Sequence, residues 1–246
     1  GEMEWAMRLR QALDEERFVL WRQKIVCVNS DCGLPREELL LRMLDENGNL
    51  VPPGIFIPAA ERFGLMPMLD RWVVRHAVRH VSCSSDEGVT FINLSGASLG
   101  DETFHRFIYE AIDEEGIEPG RLCFEITETA AISNLRRAVS FIGKIRSMGC
   151  HFALDDFGSG MSSFSYLKAI PVDYLKIDGS FVRGIAGDAM DHAIVEAINR
   201  IGHVAGLQTV AEFVESQEIL DALETVGVDY AQGYHIHRPE SLQVRA

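Results

Sequence analysis

The stretch RLCFEITETAAISNLRRAVSFIGKIRSMGCHFALDD, residues 121–156, decides the predicted fold because two apolar runs in it flank one helical pattern. RLCFEIT (121–127) and HFALDD (151–156) have the length and composition of strands. A strand, a helix and a second strand in this order and of this size form the unit that builds a parallel sheet. The apolar residues between the strands recur at helical spacing before Gly149: Leu135, Ala138, Val139, Ile142, Ile145 and Met148.

The same alternation runs along the whole chain. Eight strands alternating with helices over 246 residues predict a (β/α)8 TIM-like barrel. A doubly wound open sheet is the alternative, because periodicity does not show whether a sheet closes. The predicted strands cover residues 17–28, 37–44, 89–95, 121–127, 151–156, 172–178, 207–213 and 228–234.

The connection between the first two strands differs from the others. It reads NSDCGLP (29–35), which contains turn residues and no helical pattern. Two strands joined in this way favour antiparallel pairing, whereas parallel neighbours need a long crossover. The first strand is therefore expected to break the regular barrel pattern.

The composition excludes several classes of protein. With 47% hydrophobic and 24% charged residues, the chain has the composition of a globular domain, and it contains neither a membrane-length apolar run nor a secretion signal. We therefore expect a cytoplasmic domain without membrane contact. A net charge of −14 disfavours binding to a DNA or RNA polymer. Five cysteines without a CxxC pair indicate reduced packing residues rather than a disulfide framework or a zinc site.

Polar residues recur at or near the carboxyl ends of the predicted strands. In a parallel barrel all these ends meet at one face, where active sites are built. A single strand-end acid is more often a helix cap or a solvated loop residue, but recurrence on successive strands favours a shared site. The residues are Asn93, Glu125, Asp155, Asp156, Lys176 and Glu212.

Carboxylate and amide oxygens without histidine or cysteine suit a hard cation, Mg²⁺ or Mn²⁺. The number of acids indicates two ions, since several carboxylates around one point repel one another. Two such ions can hold the attacking water and the leaving oxygen of a phosphoester. Lys176 would then supply positive charge or orient the water.

The ordered motifs of the chain resemble those of the EAL domains, bacterial phosphodiesterases that hydrolyse cyclic di-GMP to linear pGpG. The resemblance extends from about Phe18 to Pro239 and implies a modified barrel with an antiparallel first strand. Each motif alone is weak, but their common order is specific. They read EELLLR, FIPAAE, INLS, FEITE, LDDFGSGMSS, LKID, AEFVE and AQGYHIHRP.

The resemblance implies a two-metal site with Mg²⁺ or Mn²⁺. Asp156 reaches the second ion, Asp155 can bridge both ions, and Glu212 is a further carboxylate of the metal and water network. Asp155 would be the last strand residue, while Asp156 would begin a turn that Gly158 and Gly160 permit. The ligands implied for the first ion are Glu38, Asn93, Glu125 and Asp155.

Other residues match the family by motif. Lys176 lies beside the nucleophilic water, and either Lys176 or Glu212 activates it; Glu128 braces the loop that follows Asp156. Arg42 matches the arginine that holds a substrate phosphate, which a guanidinium can do with two hydrogen bonds. The remaining implied substrate contacts are Gln23, Asp70 and Gln232.

The chain departs from the family pattern at positions that carry no metal ligand. Leu39 replaces the signature alanine and is expected to be a packing residue, because strand alternation turns it away from Glu38. Phe213 replaces a glycine beside Glu212, where its bulky ring is expected either to narrow the site or to change how the second guanine docks. The other departures are Lys24 for proline, Met43 for tryptophan, and His235, Ile236, His237 and Arg238 in the last motif.

The resemblance also implies an organisation. Residues 1–246 are expected to form a single EAL domain, with a helix at 1–16 leading from an upstream sensory or GGDEF domain and the barrel at 17–240. A homodimer is implied, and the full-length protein could be membrane-anchored. Two alternatives remain open: a catalytically silent EAL receptor for cyclic di-GMP, and another magnesium-dependent barrel enzyme.

Overall fold

A computed structural model describes residues 2–29, 33–160 and 164–242. Its strands are placed almost where the apolar runs predict them. The strands are β1 (Phe18–Cys27), β2 (Arg36–Leu44), β3 (Leu50–Val51), β4 (Val89–Asn93), β5 (Leu122–Thr127), β6 (His151–Phe157), β7 (Tyr174–Ile177), β8 (Gln208–Ala211), β9 (Tyr230–Ala231) and β10 (Glu240–Ser241).

Eight of these strands close a barrel. Following the hydrogen bonds, the ring runs β1, β9, β8, β7, β6, β5, β4, β2 and returns to β1. β1 is antiparallel to both of its ring neighbours, and the other adjacent pairs in the ring are parallel. The barrel prediction and the antiparallel first strand are confirmed, and the open-sheet alternative is wrong.

Helices cover the outside of the barrel. Several begin at a side-chain cap: Thr127, Asn134, Asp188 and Ser216 each accept a hydrogen bond from a backbone N–H of the helix they precede. The helices are α1 (Glu2–Asp14), α2 (Pro53–Arg62), α3 (Met66–Cys83), α4 (Phe104–Glu115), α5 (Glu128–Ser133), α6 (Leu135–Ser147), α7 (Gly179–Val182), α8 (Ala189–Val204) and α9 (Gln217–Val226).

The core has an inner and an outer part. A small cluster that includes Phe91, Tyr174 and Tyr230 fills the barrel interior, and the Arg36 guanidinium carbon lies 4.2 Å from the Tyr230 ring centroid. The larger outer cluster lies between strands and helices and contains Leu39, which confirms its packing role. Because the lower barrel is filled with side chains, the polar residues of the site are confined to the carboxyl-end face.

Two further features bear on the sequence expectations. α1 packs through its buried Leu9 against a cluster that includes Phe18 and Phe56, so this helix is part of the described domain. Cys27 is disulfide-bonded, so the expectation of a fully reduced set is wrong at that position. Within the residues described, we find no helix whose length and apolarity would allow a membrane crossing.

Candidate metal and catalytic site

The site is built around the ammonium group of Lys176, which is fully buried on β7. Four carboxylates surround it, and each comes from a different part of the barrel. The Nζ atom lies 3.0 Å from Glu212 Oε1, 3.1 Å from Glu125 Oε2, and 3.4 Å from both Glu38 Oε2 and Asp155 Oδ1. One positive charge therefore faces four acidic groups in a nearly water-free space.

This excess of acidic groups perturbs their protonation. Burial, together with the charge of Glu38, raises the pKa of Glu125 well above its usual range. Burial acts most strongly to raise the pKa of Glu38, but the Lys176 ammonium and the hydrogen bonds to this carboxylate together outweigh it and the pKa is lowered. Burial alone would lower the pKa of Lys176, yet the surrounding carboxylates raise it well above its ordinary value. Lys176 is accordingly a cation in this site.

Side-chain amides hold Glu38 in place. Asn93 Nδ2 donates to Glu38 Oε1 at 2.6 Å, and Gln232 Nε2 donates to Glu38 Oε2 at 2.6 Å. Gln232 Nε2 also donates to Gln23 Oε1 at 3.0 Å, while Gln23 Nε2 donates to the His237 carbonyl at 2.9 Å. Gln23 and Gln232 thus support a proposed ligand in addition to lining the site.

The two neighbouring aspartates reach one point because the strand is irregular. β6 continues to Phe157, and its register with β7 shifts between Leu154 and Phe157. Asp156 has a φ of 52°, in the left-handed region. The expectation that Asp156 begins a turn is therefore corrected: a β-bulge within the strand turns its side chain to the side of Asp155.

The donor set fits divalent cations. Carboxylate oxygens of Asp155, Asp156 and Glu212 lie within 4.8 Å of one another. Both carboxylate oxygens of Glu125 and Oε2 of Glu212 are buried without a hydrogen-bond partner, since the Lys176 contact to Glu125 is an ion pair without hydrogen-bond geometry. Unpartnered buried carboxylate oxygens are costly unless a cation faces them. Oxygen donors of this kind select hard ions such as Mg²⁺ or Mn²⁺.

Asp156 differs from the other acids of the site in its exposure. It is only partly buried, and burial followed by the charge of Asp155 raises its pKa to about 6. The Asp156 backbone N–H donates to Asp155 Oδ1 at 2.9 Å, which orients that carboxylate. The pair therefore presents one fixed carboxylate and one that is easily reached from solvent.

Glu128 does not join the carboxylate cluster. It is buried at the start of α5, where its Oε2 accepts from the Gly158 backbone N–H at 2.9 Å and its Oε1 accepts from the Tyr166 hydroxyl. Both partners belong to the segment that follows Asp156, whose residues 161–163 lie outside the described residues. The contacts agree with the bracing role implied by the resemblance.

Arg42 lies on β2, four residues beyond Glu38. Its guanidinium carbon is 5.6 Å from the Trp21 ring centroid, and Nη1 donates to the Leu41 carbonyl at 3.0 Å. The side chain is half-buried, and burial lowers the pKa of Arg42, while Tyr234 and Glu38 act in the opposite direction. Stacking on an aromatic face holds the guanidinium while leaving N–H groups for an anion.

Asp70 is buried, whereas a residue that contacts substrate in an open site would be exposed. It is buried on α3, and its Oδ2 accepts from Ser95 N at 3.0 Å, Ser95 Oγ at 2.6 Å and Ser98 Oγ at 2.6 Å. These donors belong to the segment directly after Asn93. This geometry indicates that Asp70 supports the segment that follows Asn93, while its role as a substrate contact stays a prediction.

Replacing Asp70 by alanine is expected to lower the free energy of unfolding by about 2 to 4 kcal/mol, because three donors lose their acceptor in a buried position. Urea unfolding of Asp70→Ala and Asp70→Asn measures this effect. Unchanged stability with a tenfold higher KM for a substrate would instead assign Asp70 to direct substrate contact.

Reasoning from strand ends alone misses part of the site. Glu38 lies near the start of β2, paired with Phe91, while Gln23 lies inside β1. An acid inside an otherwise apolar strand, as in EELLLRML, is the local signal for Glu38. No local sequence pattern marks His237 as part of the site. Its ring Nδ1 accepts a hydrogen bond from the Lys24 backbone N–H at 3.3 Å, so two departures from the family pattern contact each other.

The closed barrel and its carboxylate cluster define a (β/α)8-type domain with an acidic cluster at the carboxyl-end face. The sequence matches the family model of the EAL domain over residues 6–239. The chain belongs to the EAL domain family.

Several relatives carry assigned names. Cyclic di-GMP phosphodiesterase PdeB of Shewanella oneidensis is 46% identical over 241 residues, which are 97% of this chain and 28% of that protein. Cyclic di-GMP phosphodiesterase PdeF of Escherichia coli is 37% identical over 96% of this chain and 32% of that protein. The chain thus spans about a third or less of the length of these relatives.

Solved structures share the architecture. The FimX EAL domain of Pseudomonas aeruginosa bound to c-di-GMP has a TM-score of 0.91 and 30% identity, with 96% of both chains covered. The PaMucR phosphodiesterase in a c-di-GMP complex has a TM-score of 0.89 and 32% identity, with 98% of both chains covered.

Proposed function

We propose that this chain is a metal-dependent phosphodiesterase that hydrolyses cyclic di-GMP to linear pGpG. The observation that carries the proposal is the buried carboxylate cluster around Lys176, in which both Glu125 oxygens and Glu212 Oε2 lack hydrogen-bond partners. The proposal is supported by relatives named as cyclic di-GMP phosphodiesterases and by structural neighbours with c-di-GMP bound.

The metal assignment follows the positions of the oxygen donors. Asp155, Asp156 and Glu212, whose ligand atoms lie within 4.8 Å of one another, would hold a second Mg²⁺ or Mn²⁺ ion. When bound, the ions supply Lewis acidity to the phosphate and lower the pKa of water towards neutrality. The proposed donors for the first ion are Glu38, Asn93, Glu125 and Asp155.

The reaction forms a bond between water oxygen and phosphorus and breaks the bond from phosphorus to the 3′ oxygen. Glu212 would accept the water proton, since Oε1 pairs with Lys176 while Oε2 has no partner. Lys176 would remain an ammonium that orients the water and offsets negative charge in the transition state. The departing 3′ oxygen takes up a proton, and the product is a linear dinucleotide with a 5′ phosphate.

The rest of the site would bind and orient the substrate. Arg42 can bind a phosphate with two parallel hydrogen bonds while it stacks on Trp21. Gln232 retains a buried Oε1 without a partner, which is available to a substrate donor. The amide oxygen and nitrogen of Gln23 already form hydrogen bonds with Gln232 and His237, so Gln23 would contact the substrate only beside these bonds.

We also propose the wider organisation implied by the family. The barrel at 17–240 would follow an upstream sensory or GGDEF domain through the helix at 1–16, and two copies would form a homodimer in the cytoplasm. The small share of PdeB and PdeF that the chain covers supports further domains in such proteins. A relative named bifunctional diguanylate cyclase/cyclic di-GMP phosphodiesterase MucR supports a GGDEF partner.

The proposal is tested by incubating the purified chain with cyclic di-GMP and Mg²⁺ or Mn²⁺, then separating the nucleotides by chromatography. We expect pGpG to accumulate with either ion and to be absent with excess EDTA. Saturable binding of cyclic di-GMP without product would reject the enzyme and favour the silent receptor. Neither binding nor product would reject both.

A further inference from the structure

Phe213 has an unusual backbone conformation for its residue type. Its φ is 56°, in the left-handed region, and it directly follows Glu212. A bulky residue takes this conformation only where its surroundings hold it there. Contacts around the Phe213 ring must therefore offset this backbone strain.

The ring of Phe213 rests on Gly179, the first residue of α7. A Cβ atom added at Gly179 would lie 2.1 Å from Phe213 Cδ2 and 2.6 Å from Cγ, so only glycine leaves space for the ring. The ring therefore packs against α7, and its expected effect on the width of the site or on guanine docking stays a prediction. The side chain remains 48% exposed.

A charged pair completes the contact. The Arg183 guanidinium carbon lies 4.3 Å from the Phe213 ring centroid, within the range of a cation–π interaction. Arg183 Nε also lies 3.4 Å from Glu215 Oε1, two residues beyond Phe213. The ring is thus held by both ends of α7, and α7 is tied back to the segment that carries the ring.

The contact joins the two barrel segments that carry Lys176 and Glu212. α7 begins three residues after Lys176, whose Nζ is 3.0 Å from Glu212 Oε1. The neighbouring backbone is anchored as well, because Glu212 N donates to Ile177 O at 3.4 Å and Val214 N donates to Gln232 O at 3.0 Å. Phe213 alone between these anchors takes the left-handed conformation.

We propose that Phe213 is a positioning residue whose ring, seated on Gly179 and Arg183, holds the backbone that directs the Glu212 carboxylate to Lys176 and to a divalent cation. This role rests on the proposed function for its catalytic consequence, but not for its effect on cation binding. In this chain the contacts of the Phe213 ring with Gly179 and Arg183 then compensate for the replacement of the family's glycine by phenylalanine.

The test is a double-mutant cycle between Gly179 and Phe213, read out by Mn²⁺ binding in equilibrium dialysis and by steady-state kinetics. Phe213→Ala is expected to weaken Mn²⁺ binding and to lower kcat by about 10- to 100-fold, the range found for residues that orient metal ligands. KM is expected to change less than threefold. Phe213→Gly should retain more function than Phe213→Ala, because glycine adopts a positive φ without strain.

Gly179→Ala is expected to cause a similar loss, because its methyl group and the ring cannot both be accommodated. In the Phe213→Gly background, which removes the Phe213 Cβ at 2.9 Å as well as the ring, the same change should cost almost nothing, so the two losses are not additive. Gly187→Ala is the matched control: no atom lies within 4 Å of an added Cβ there, and wild-type values are expected.

Three results would overturn the inference. The first is a Gly179→Ala loss that is undiminished when Phe213 is glycine. The second is a Phe213→Ala effect confined to KM, which would assign the ring to substrate contact. The third is unchanged Mn²⁺ binding in Phe213→Ala. If Phe213→Ala fails to fold, Arg183→Gln replaces it in the test, because Arg183 also contacts the ring. We expect this variant to weaken Mn²⁺ binding less than the roughly 10- to 100-fold expected for Phe213→Ala. If the wild type lacks phosphodiesterase activity, the double-mutant cycle measured by Mn²⁺ binding still tests the positioning role of Phe213.

Discussion

Asp155→Asn is expected to lower kcat for cyclic di-GMP hydrolysis on the order of 10³-fold or more, since metal activation of a phosphoester contributes several kcal/mol and each 1.36 kcal/mol is tenfold in rate. Asp155 contacts Lys176 and lies in the only group of three acids within 4.8 Å that we find among the described residues. Asparagine preserves its shape but removes the charge. The rate is measured by chromatography of pGpG at saturating substrate and several Mg²⁺ concentrations.

Asp86→Asn is the matched control, because Asp86 is exposed and belongs to a loop preceding β4 at the opposite end of the barrel. It should retain wild-type kcat. Wild-type turnover by Asp155→Asn at all Mg²⁺ concentrations would refute the assignment of Asp155 to the cation site.

Lys176→Met is expected to lower kcat by about 10²- to 10³-fold, the range observed when one preorganised charge-stabilising group is removed. The Mg²⁺ concentration for half-maximal rate should not rise, because the lost ammonium repels cations. This behaviour separates Lys176 from the proposed ligands, whose replacement should raise that concentration.

The same variant should be destabilised without metal. Lys176 is fully buried among four carboxylates, and removing one partner of a buried ion pair costs about 3 to 5 kcal/mol. Urea unfolding in EDTA measures the loss, and Mg²⁺ should restore part of it. Lys144→Met, at an exposed position on α6, is the control. Equal stability of Lys176→Met and wild type in EDTA would contradict the buried ion-pair geometry.

Much of the fold can be predicted from periodicity. The alternation of apolar runs predicts the strands, and the helix-less NSDCGLP connection predicts the antiparallel β1. Closure of the ring is not visible in the pattern, because an inward-facing strand of a barrel and a buried strand of an open sheet have the same composition. The left-handed φ at Asp156 is likewise hidden, since the residue is not glycine.

The site divides into predictable and hidden parts for a physical reason. Strand-end residues such as Glu125 and Lys176 converge because parallel strands share one face. Glu38 and Gln23 lie within their strands, and their height in the barrel depends on strand tilt and stagger, which sequence spacing does not record. Their identification therefore depended on the resemblance to the EAL domains.

The bracing residues show a third case. Asp70 and Phe213 act through contacts between segments distant in sequence, with Ser95 and Ser98 in one case and Gly179 in the other. No local pattern reveals such a contact. At Phe213 the sequence nevertheless contains an indirect signal. The EAL family usually has a glycine at this position, and the backbone of Phe213 has a positive φ, which glycine adopts easily.

The central claim is that the carboxylate cluster around Lys176 is a centre for divalent cations. Equilibrium dialysis of the purified chain against Mn²⁺ tests it most directly, with Glu125→Gln as the comparison, because Glu125 presents two buried oxygens without hydrogen-bond partners. We predict about two Mn²⁺ ions bound per wild-type chain, the number expected of a two-metal phosphoester site, and clearly weaker binding by Glu125→Gln. Equal Mn²⁺ binding by the two proteins, or none by wild type, would contradict the claim.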